Sequence, residues 1–245
     1  MAVSKLDDGG LVAHGGPHVF VSDLETLVID SEDRHHLGRA LRLRDGDRLT
    51  ASDGVGAWRS CLFRSGDGEP LVAAGETVVT AAPRPRLTIC FALVKGSKPE
   101  LVVQKLTELG IDRIVAFTAA RSVVRWDQTK AQRNAERLRR VAREAAMQSH
   151  RSWLPEVDAL QCFSTVAAMP GAVRADMKGA ALSAAAGDAA DINAAGIHTV
   201  LIGPEGGWDE GERAAVPGTV ALGAHVLRAE TAAIAAATLL ASRRI

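Results

Sequence analysis

Hydrophobic positions follow two different patterns along the chain. Up to about residue 80 the apolar stretches are short and are bounded by turn signals, and Asp45-Gly46 and Asp53-Gly54 flank a strand predicted over residues 48–52. One helix, which Ser31 can cap, is predicted among these short strands. Further on, continuous apolar runs alternate with helical periodicity, and these runs occupy residues 87–94, 111–117 and 197–202. Continuous apolar runs between helices are typical of a buried parallel sheet. The pattern predicts an α/β protein with a smaller β-rich N-terminal part.

Alternating prolines mark the expected domain boundary. Residues 81–86 read Ala-Ala-Pro-Arg-Pro-Arg, which can continue neither a helix nor a strand and favours a stiff extended linker. We therefore expect an N-terminal domain over residues 1–80 and a C-terminal domain over residues 87–245. Residues 1–17, rich in Gly, Asp and His, are expected to form a loose tail.

Helices of the C-terminal domain are predicted from their end signals. Ser97 with Glu100 matches a capping box, and Gly110 is placed to close that helix, in which we expect Leu101 to pack inward. The longest helix is predicted over residues 127–149, with alanines on one face and basic residues on nearly the opposite face.

Two glycine-bearing corners near the C-terminus are the most informative stretches of the chain. The first follows an apolar run and reads Gly203-Pro204-Glu205-Gly206-Gly207-Trp208, after which Asp209 and Glu212 match a capping box. The second follows a short predicted strand at Leu222-Gly223 and leads into an alanine-rich helix. Since the carboxyl ends of parallel strands meet at one edge of a sheet, the two corners predict one ligand site.

The composition of the first corner limits the class of ligand. It lacks the Gly-x-Gly-x-x-Gly pattern and the Gly-Lys-Ser/Thr ending of phosphate-binding loops, and Glu205 within it is unfavourable for a triphosphate. A neutral or cationic small molecule held by backbone groups suits it better, because glycines let the backbone come close to a ligand. The alternative is two ordinary glycine turns in an α/β domain.

Residues 202–207 and 222–232 together resemble the signature of the small-subunit rRNA uracil-N3 methyltransferases, which belong to the SPOUT class. The resemblance extends from about residue 18 to the end of the chain. It implies an α/β fold with a C-terminal SPOUT trefoil-knot domain and a small N-terminal PUA-like β-barrel domain that docks on RNA. It also implies S-adenosyl-L-methionine (SAM) as cofactor, 16S rRNA of the small ribosomal subunit as partner, and a homodimer. Periodicity does not predict the knot, since threaded chains are rare.

The resemblance also implies a set of site residues. The residues expected to bind SAM are Leu182, Ile202, Gly203, Pro204, Glu205, Gly206, Gly207, Leu222, Gly223, Val226, Leu227, Thr231 and Ala232. Methylation of uracil N3 requires removal of its proton, so Glu230 is expected to accept the proton and Arg228 to stabilise charge on O2 and O4. The alternatives are that Glu230 is an acid favoured at a helix N-terminus and that Arg228 forms an ion pair with Glu205 or Glu230.

Charge distribution adds an expectation about RNA. The formal net charge is zero, with 29 basic and 29 acidic residues, but residues 121–151 hold nine Arg or Lys against three acids. Residues 156–212 hold nine acids against two bases. This asymmetry favours a basic face for a polyanion, the alternative being a solvated helix face. Together with the resemblance it gives the expected RNA-binding residues, which are Arg34, Arg39, Arg42, Lys95, Arg133, Arg137 and Arg151.

Two histidines occupy positions where the family usually has other residues. His18 stands where the family usually has an arginine before its first strand, and His150 stands where it usually has a glycine.

The positions of the cysteines and the hydropathy of the chain limit the possible metal sites, disulfides and membrane segments. Cys61, Cys90 and Cys162 are far apart in sequence, so we expect buried free thiols and neither a disulfide framework nor a zinc site. No apolar run approaches the ~20 residues that span a bilayer, and no signal peptide is recognisable. We therefore expect a cytoplasmic protein with no metal and no membrane partner.

Three functions remain in competition. The first is uracil-N3 methylation, and the second is 2′-O-ribose methylation by an enzyme of the same superfamily, which typically has an Asn-Val-Ser run where this chain has Arg228-Ala229-Glu230-Thr231. The third is a non-catalytic RNA-binding module in which the glycines only turn the chain. Binding of SAM separates the third from the other two.

Overall fold

The computed structural model describes residues 16–29, 37, 43–66, 69–182 and 198–244. By its contacts the chain divides into two compact units, and the first consists of residues 1–83 together with residues 146–154. The second consists of residues 84–145 and 155–245. The sequence did not indicate that residues 146–154 associate with the N-terminal part.

A mixed sheet of five strands forms the first unit. In the described residues the order is β1-β2-β3-β4, with β5 also paired to β3, and only β1 and β2 run parallel. The strands are β1 (His18–Phe20), β2 (Arg48–Ser52), β3 (Ala57–Phe63), β4 (Leu71–Ala73) and β5 (Val78–Val79). The prediction of β2 from its flanking turn signals is confirmed. The helix expected near Ser31 lies outside the described residues, apart from Leu37, which is buried.

The segment 146–154 packs closely on the turn between β2 and β3. Leu154 N donates to Gly54 O at 2.9 Å, and Trp153 Nε1 donates to Thr80 O at 3.2 Å. Gly56 has a φ of +105°, and a β-carbon there would lie 2.5 Å from the Trp153 ring. The turn can therefore accept this segment only because glycine occupies position 56.

The two unusual histidines both belong to this unit, and both have structural roles. His18 is 2% exposed, and its ring nitrogens lie 2.8 Å from Thr50 Oγ1 and 3.1 Å from Arg151 O. Burial, followed by repulsion from His150, lowers the pKa of His18 to about 4. His150 has a φ of +54°, in the left-handed region that glycine enters without strain. This explains why a glycine suits that position in the family pattern.

A parallel sheet of seven strands forms the second unit within the described residues. Its order is β12-β10-β11-β6-β7-β8, and β9 also pairs with β7. The strands are β6 (Thr88–Ala92), β7 (Arg113–Thr118), β8 (Glu156–Val157), β9 (Gln161–Cys162), β10 (Ala172–Ala181), β11 (Thr199–Ile202) and β12 (Thr219–Ala221). Every residue of β6 and β11 is buried, as the continuous apolar runs predict.

Five described helices accompany this sheet. They are α1 (Lys98–Glu108), α2 (Gln128–Gln148), α3 (Phe163–Ala167), α4 (Glu210–Ala215) and α5 (Ala229–Ala241). Helix α5 packs on α1 and on β6 and β11, burying among others Ala233, Ala236 and Leu240. None of the described helices has both the length and the apolar character to cross a bilayer.

Several local predictions were wrong. Ser97 precedes α1 but makes no side-chain capping bond, and Leu101 is 41% exposed because it lies on the outer face of the helix. Cys162 is exposed, although Cys61 and Cys90 are buried thiols as predicted. The alanine-rich run over residues 180–184 predicts a strand, but strand β10 begins at Ala172, and residues 183–184 lie outside the described part. The left-handed Gly110, with φ +82°, closes α1 as predicted.

Because His18 is neutral in the folded protein, we predict that acid weakens the first unit. Between the unfolded pKa of 6.5 and the folded pKa of about 4, the unfolded chain binds more protons, so stability falls as pH falls through this window. The loss should be about 2 kcal/mol between pH ~7 and pH ~5. Urea unfolding at both pH values measures it. His18→Gln should remove most of this dependence, whereas His225→Gln, at an exposed position of the second unit, should leave it unchanged.

Candidate functional site

Predicted site residues lie at one edge of the parallel sheet. Strands β6, β10, β11 and β12 run parallel and are consecutive neighbours, so their carboxyl ends meet there. Leu182 follows β10, Gly203 follows β11 and Leu222 follows β12, and Leu182 N donates to Ala221 O at 2.8 Å. The structure thus brings both glycine corners to the same edge.

Gly203 is required by a tryptophan of its own loop. Trp208 is 4% exposed, its ring is stacked near Phe117 with centroids 6.2 Å apart, and its Nε1 donates to Ala175 O at 3.1 Å. A β-carbon on Gly203 would lie 2.9 Å from the Trp208 ring. The absence of a side chain at Gly203 therefore serves internal packing.

The two following glycines also have internal reasons. Gly207 N donates to Pro204 O at 2.9 Å and has a φ of +70°, so it closes a tight turn that favours glycine. A β-carbon on Gly206 would meet Arg121 Cβ at 3.1 Å, and Arg121 Nη1 donates to Gly206 O at 3.2 Å. Arg121 was not among the predicted site residues.

The capping box predicted at the start of α4 is confirmed. Glu212 N donates to Asp209 Oδ1 at 2.7 Å, and Asp209 N donates to Glu212 Oε2 at 3.0 Å. The second oxygen of Glu212 accepts from Ala120 N at 2.8 Å, although the side chain is nearly fully buried. One carboxylate therefore connects the segment after β7 to the helix that follows the first glycine corner.

The second corner is more open than the first. A β-carbon on Gly223 would meet no atom within 4 Å, and the backbone there is not in the left-handed region. Residues 223–226 are exposed, with Val226 at 83%. This corner presents backbone and free space, which is the geometry that a ligand contacting main-chain groups needs.

Glu230 and Arg228 begin α5 but do not pair with each other. Arg228 is the exposed N-cap residue and forms no ion pair in the described part of the chain. Glu230 Oε1 lies 3.0 Å from Lys98 Nζ, and its Oε2 is buried without a described hydrogen-bond partner. Burial raises the pKa of Glu230, but its backbone N–H, Lys98 and Arg228 together hold that pKa below the ordinary value. Glu230 is therefore ionised at neutral pH.

Family models match both parts of the sequence. A model described as the RNA methyltransferase domain matches residues 81–241, and one described as the RNA methyltransferase PUA domain matches residues 29–69. The chain belongs to the RNA methyltransferase family.

Relatives within this family carry one name. Proteins called ribosomal RNA small subunit methyltransferase E are similar to this chain in Mycobacterium bovis, with 35% identity over 220 residues covering 85% of this chain and 83% of the relative. In Bacillus subtilis the identity is 30% over 226 residues, covering 86% and 88%.

The same fold occurs in a solved structure of the enzyme of this name from Neisseria gonorrhoeae, bound to S-adenosyl methionine. Its TM-score is 0.74 at 22% identity, over 92% of this chain and 97% of that one. The predicted fold class is confirmed as an α/β RNA methyltransferase domain with a smaller PUA domain. The trefoil knot and the β-barrel stay predictions.

The residues expected to bind RNA are dispersed. In this RNA methyltransferase, Lys95 and Arg133 are exposed, and Arg137 Nε lies 3.1 Å from Glu100 Oε1. An acid of α1 therefore offsets part of the charge on the basic face of α2. Arg151 is half-buried in the first unit, and Arg34, Arg39 and Arg42 lie outside the described residues.

No group of three His, Cys, Asp or Glu side chains placed to hold a metal occurs in the described part.

The remaining predicted cofactor residues differ in exposure. Ile202 is the buried last residue of β11 and Ala232 is buried in α5, whereas Glu205 and Thr231 are exposed and Leu227 is half-buried. Sequence reasoning missed Lys98 because its partner, Glu230, lies more than a hundred residues away. It also missed Trp208 as the reason for Gly203, although the tryptophan stands in the same loop.

We predict that Glu212 contributes more to stability than its neighbour Glu210. Glu212→Ala leaves the N–H groups of Ala120 and Asp209 without their acceptor, which should cost about 1–3 kcal/mol. Glu210→Ala removes an exposed acid of the same helical turn and should cost under about 0.5 kcal/mol. Urea unfolding of both variants measures the difference, and equal losses would contradict the role given to Glu212.

Proposed function

We propose that this chain methylates N3 of a specific uridine in 16S rRNA of the small ribosomal subunit, using SAM. The membership of the RNA methyltransferase family and the relatives' name, ribosomal RNA small subunit methyltransferase E, support the reaction class and the substrate. The observation that carries the site is the pair of glycine corners at one sheet edge, with Glu230 at the start of the adjoining helix.

The second corner fits the cofactor. Gly223 borders free space, so a bound molecule can approach main-chain groups without displacing a side chain. The exposed Glu205 suits a ligand that carries positive charge. SAM, when bound, supplies a methyl group on a sulfonium. We assign its binding to the residues predicted from the two corners, with Leu182, Thr231 and Ala232 beside them.

Two side chains are proposed to act on the uracil. Glu230 accepts the N3 proton, and Arg228, exposed and free of a described ion pair, stabilises the charge that develops on O2 and O4. Lys98 keeps Glu230 ionised and holds it in place. A 2′-O-ribose methyltransferase must activate only a hydroxyl group, and a carboxylate with an adjacent cation suits the acidic N3–H of uracil better.

The same proposal includes a surface that binds RNA and a dimeric assembly. Exposed cations of α2, among them Arg133, and Lys95 contact rRNA phosphates, while the N-terminal domain docks on RNA through Arg34, Arg39 and Arg42. Arg137 and Arg151 also belong to this set. The enzyme is proposed to be a cytoplasmic homodimer that associates through α5, whose half-buried Ile234 is not among the residues packed on the core of the unit. The domain boundaries at residues 80 and 87 stay predictions.

Gly223→Val tests the cofactor site more cleanly than a change at Gly203 or Gly206. A side chain at Gly223 enters free space, so the variant should fold normally and lose SAM binding by at least about tenfold if SAM occupies this corner. Side chains at Gly203 and Gly206 would instead press on Trp208 and Arg121. Isothermal titration calorimetry measures the affinity, with urea unfolding as a check on the fold.

The matched control is Gly75→Val, in the first unit. A β-carbon there meets only Ser60 at an ordinary 3.6 Å, so both fold and SAM affinity should be unchanged. If Gly223→Val binds SAM as tightly as this control, SAM does not lie at the second corner.

Glu230→Gln tests the chemistry. Because the variant loses the proton acceptor but keeps the shape of the side chain, methyl transfer should slow by about 10²–10⁴-fold while SAM affinity changes little. Raising the pH should recover part of the rate, since hydroxide then shares the removal of the N3 proton. Rates are measured on unmethylated small subunits, with the products digested to nucleosides for mass spectrometry.

The nucleoside that carries the methyl group decides between the two methylation reactions. The proposal requires 3-methyluridine from the unaltered enzyme. Formation of 2′-O-methyluridine would show that Glu230 and Arg228 do not serve uracil N3.

A further inference from the structure

A cavity of about 400 Å³ lies within the second unit beside the carboxyl end of β6. It is bounded by the residues that follow β6, by the first turn of α1, by the middle of α2 and by the segment before α2. The side chains that matter for its chemistry are Lys95, Glu100, Trp126, Lys130, Asn134 and Arg137. Its volume suits a ligand of the size of one nucleotide.

Glu100 is the polar group that defines the cavity. Its Oε1 is held by Arg137 Nε at 3.1 Å, whereas its Oε2 is buried and has no hydrogen-bond partner among the described residues. A buried carboxylate oxygen without a donor is costly, because it has lost water and gained nothing in return. The ligand expected here therefore brings an N–H or O–H donor.

An aromatic ring and cations accompany this acceptor. Trp126 is half-buried, and Lys95 and Lys130 are exposed at the cavity. An aromatic ring with adjacent cations is the combination by which proteins bind unpaired nucleotides, because the base stacks and the cations hold the phosphate. Asn134 adds an amide that can donate to a base oxygen.

We propose that this cavity binds one unpaired uridine nucleotide of the RNA, with Glu100 Oε2 accepting the N3–H, Trp126 packing on the base, and Lys95 and Lys130 holding the phosphate. This rests on the proposed function only in taking the substrate to be RNA. Because Glu100 holds the N3–H, this uridine is a second, recognised nucleotide of the RNA, distinct from the uridine whose N3 proton Glu230 accepts. Glu100 and Trp126 are then specificity residues for that second nucleotide.

The hydrogen-bonding pattern favours uracil over the other bases. The pairing edge of uracil carries one N–H between two carbonyl oxygens, so it needs one acceptor flanked by donors. Glu100 has one oxygen free because Arg137 holds the other, and donors are available from Asn134 and from the further N–H groups of the Arg137 guanidinium. On the pairing edge of a nucleotide, guanine presents two adjacent donors, and the ring nitrogens of adenine and cytosine carry no hydrogen, so neither offers a donor between two carbonyl oxygens.

A consequence concerns a methyl group placed on the base that this cavity binds. A methyl group on N3 removes the only N–H of the edge and leaves Glu100 Oε2 unpaired and crowded. The cavity therefore discriminates between unmodified uridine and 3-methyluridine.

The test compares two ligands on the full-length chain without SAM. Uridine 5′-monophosphate and its 3-methyl derivative are titrated by calorimetry, and the unmodified nucleotide should bind at least about tenfold more tightly. Glu100→Gln should weaken uridine monophosphate binding and abolish the discrimination. Trp126→Ala should weaken binding of both nucleotides by about 5- to 100-fold.

Glu136→Gln is the matched control, since it removes an exposed carboxylate of α2 that does not line the cavity. It should bind both nucleotides like the unaltered chain. Because the two-ligand comparison uses the unaltered protein, it is decisive even if the Glu100 variant folds poorly. Equal affinity for the two nucleotides, or no saturable binding of uridine monophosphate, would overturn the proposal.

Failure here is distinguishable from failure of the proposed function. SAM binding and methyl transfer to small subunits are measured separately from nucleotide binding. Transfer without nucleotide discrimination contradicts the uridine cavity alone, whereas discrimination without transfer contradicts the proposed reaction and supports the cavity.

Discussion

The buried carboxylate of Glu212 is the contact on which the first glycine corner depends. It accepts hydrogen bonds from the backbone N–H groups of Asp209, the N-cap residue of α4, and of Ala120, so one side chain joins the start of α4 to the segment after β7. Trp208 then fills the space beside Gly203, and Arg121 closes over Gly206. The conformation of the loop is therefore set before any ligand arrives, which lowers the entropy lost on binding.

These contacts give the glycines of the first corner a reason other than ligand binding. A glycine-rich loop at the end of a parallel strand usually suggests a ligand that approaches the backbone. Here Gly203, Gly206 and Gly207 each have an internal cause, which is a ring, a neighbouring backbone or a left-handed φ. Gly207 and Gly223 both border free space, but Gly207 has a left-handed φ of +70°, so among the four glycines only Gly223 combines free space with an ordinary backbone conformation. The second corner is consequently the better candidate for direct contact between main-chain groups and a cofactor. The first corner is held rigid by its own internal contacts.

The sequence predicted an element correctly where the residues that determine it are close together in the chain. Strand β2 lies between two turn signals, β6 is a continuous apolar run, and Asp209 and Glu212 stand three residues apart, so each is readable without knowing the fold. It failed where a side chain interacts with a residue that is far away in the sequence. Ser97 and Glu100 have the spacing of a capping box, but Glu100 forms an ion pair with Arg137 of α2 instead. No pattern in the sequence predicts this ion pair.

Helix α1 links the two carboxylates of the site. Lys98 and Glu100 stand two residues apart in its first turn, and each is paired with a residue of opposite charge on another helix, Glu230 of α5 and Arg137 of α2. Each carboxylate keeps one buried oxygen without a described partner. Since an unpaired buried oxygen is costly in the free protein, its persistence at both positions is best explained by ligand groups that donate to it. The first turn of α1 therefore positions both acceptors, and a shift of that turn would alter nucleotide binding and proton removal together.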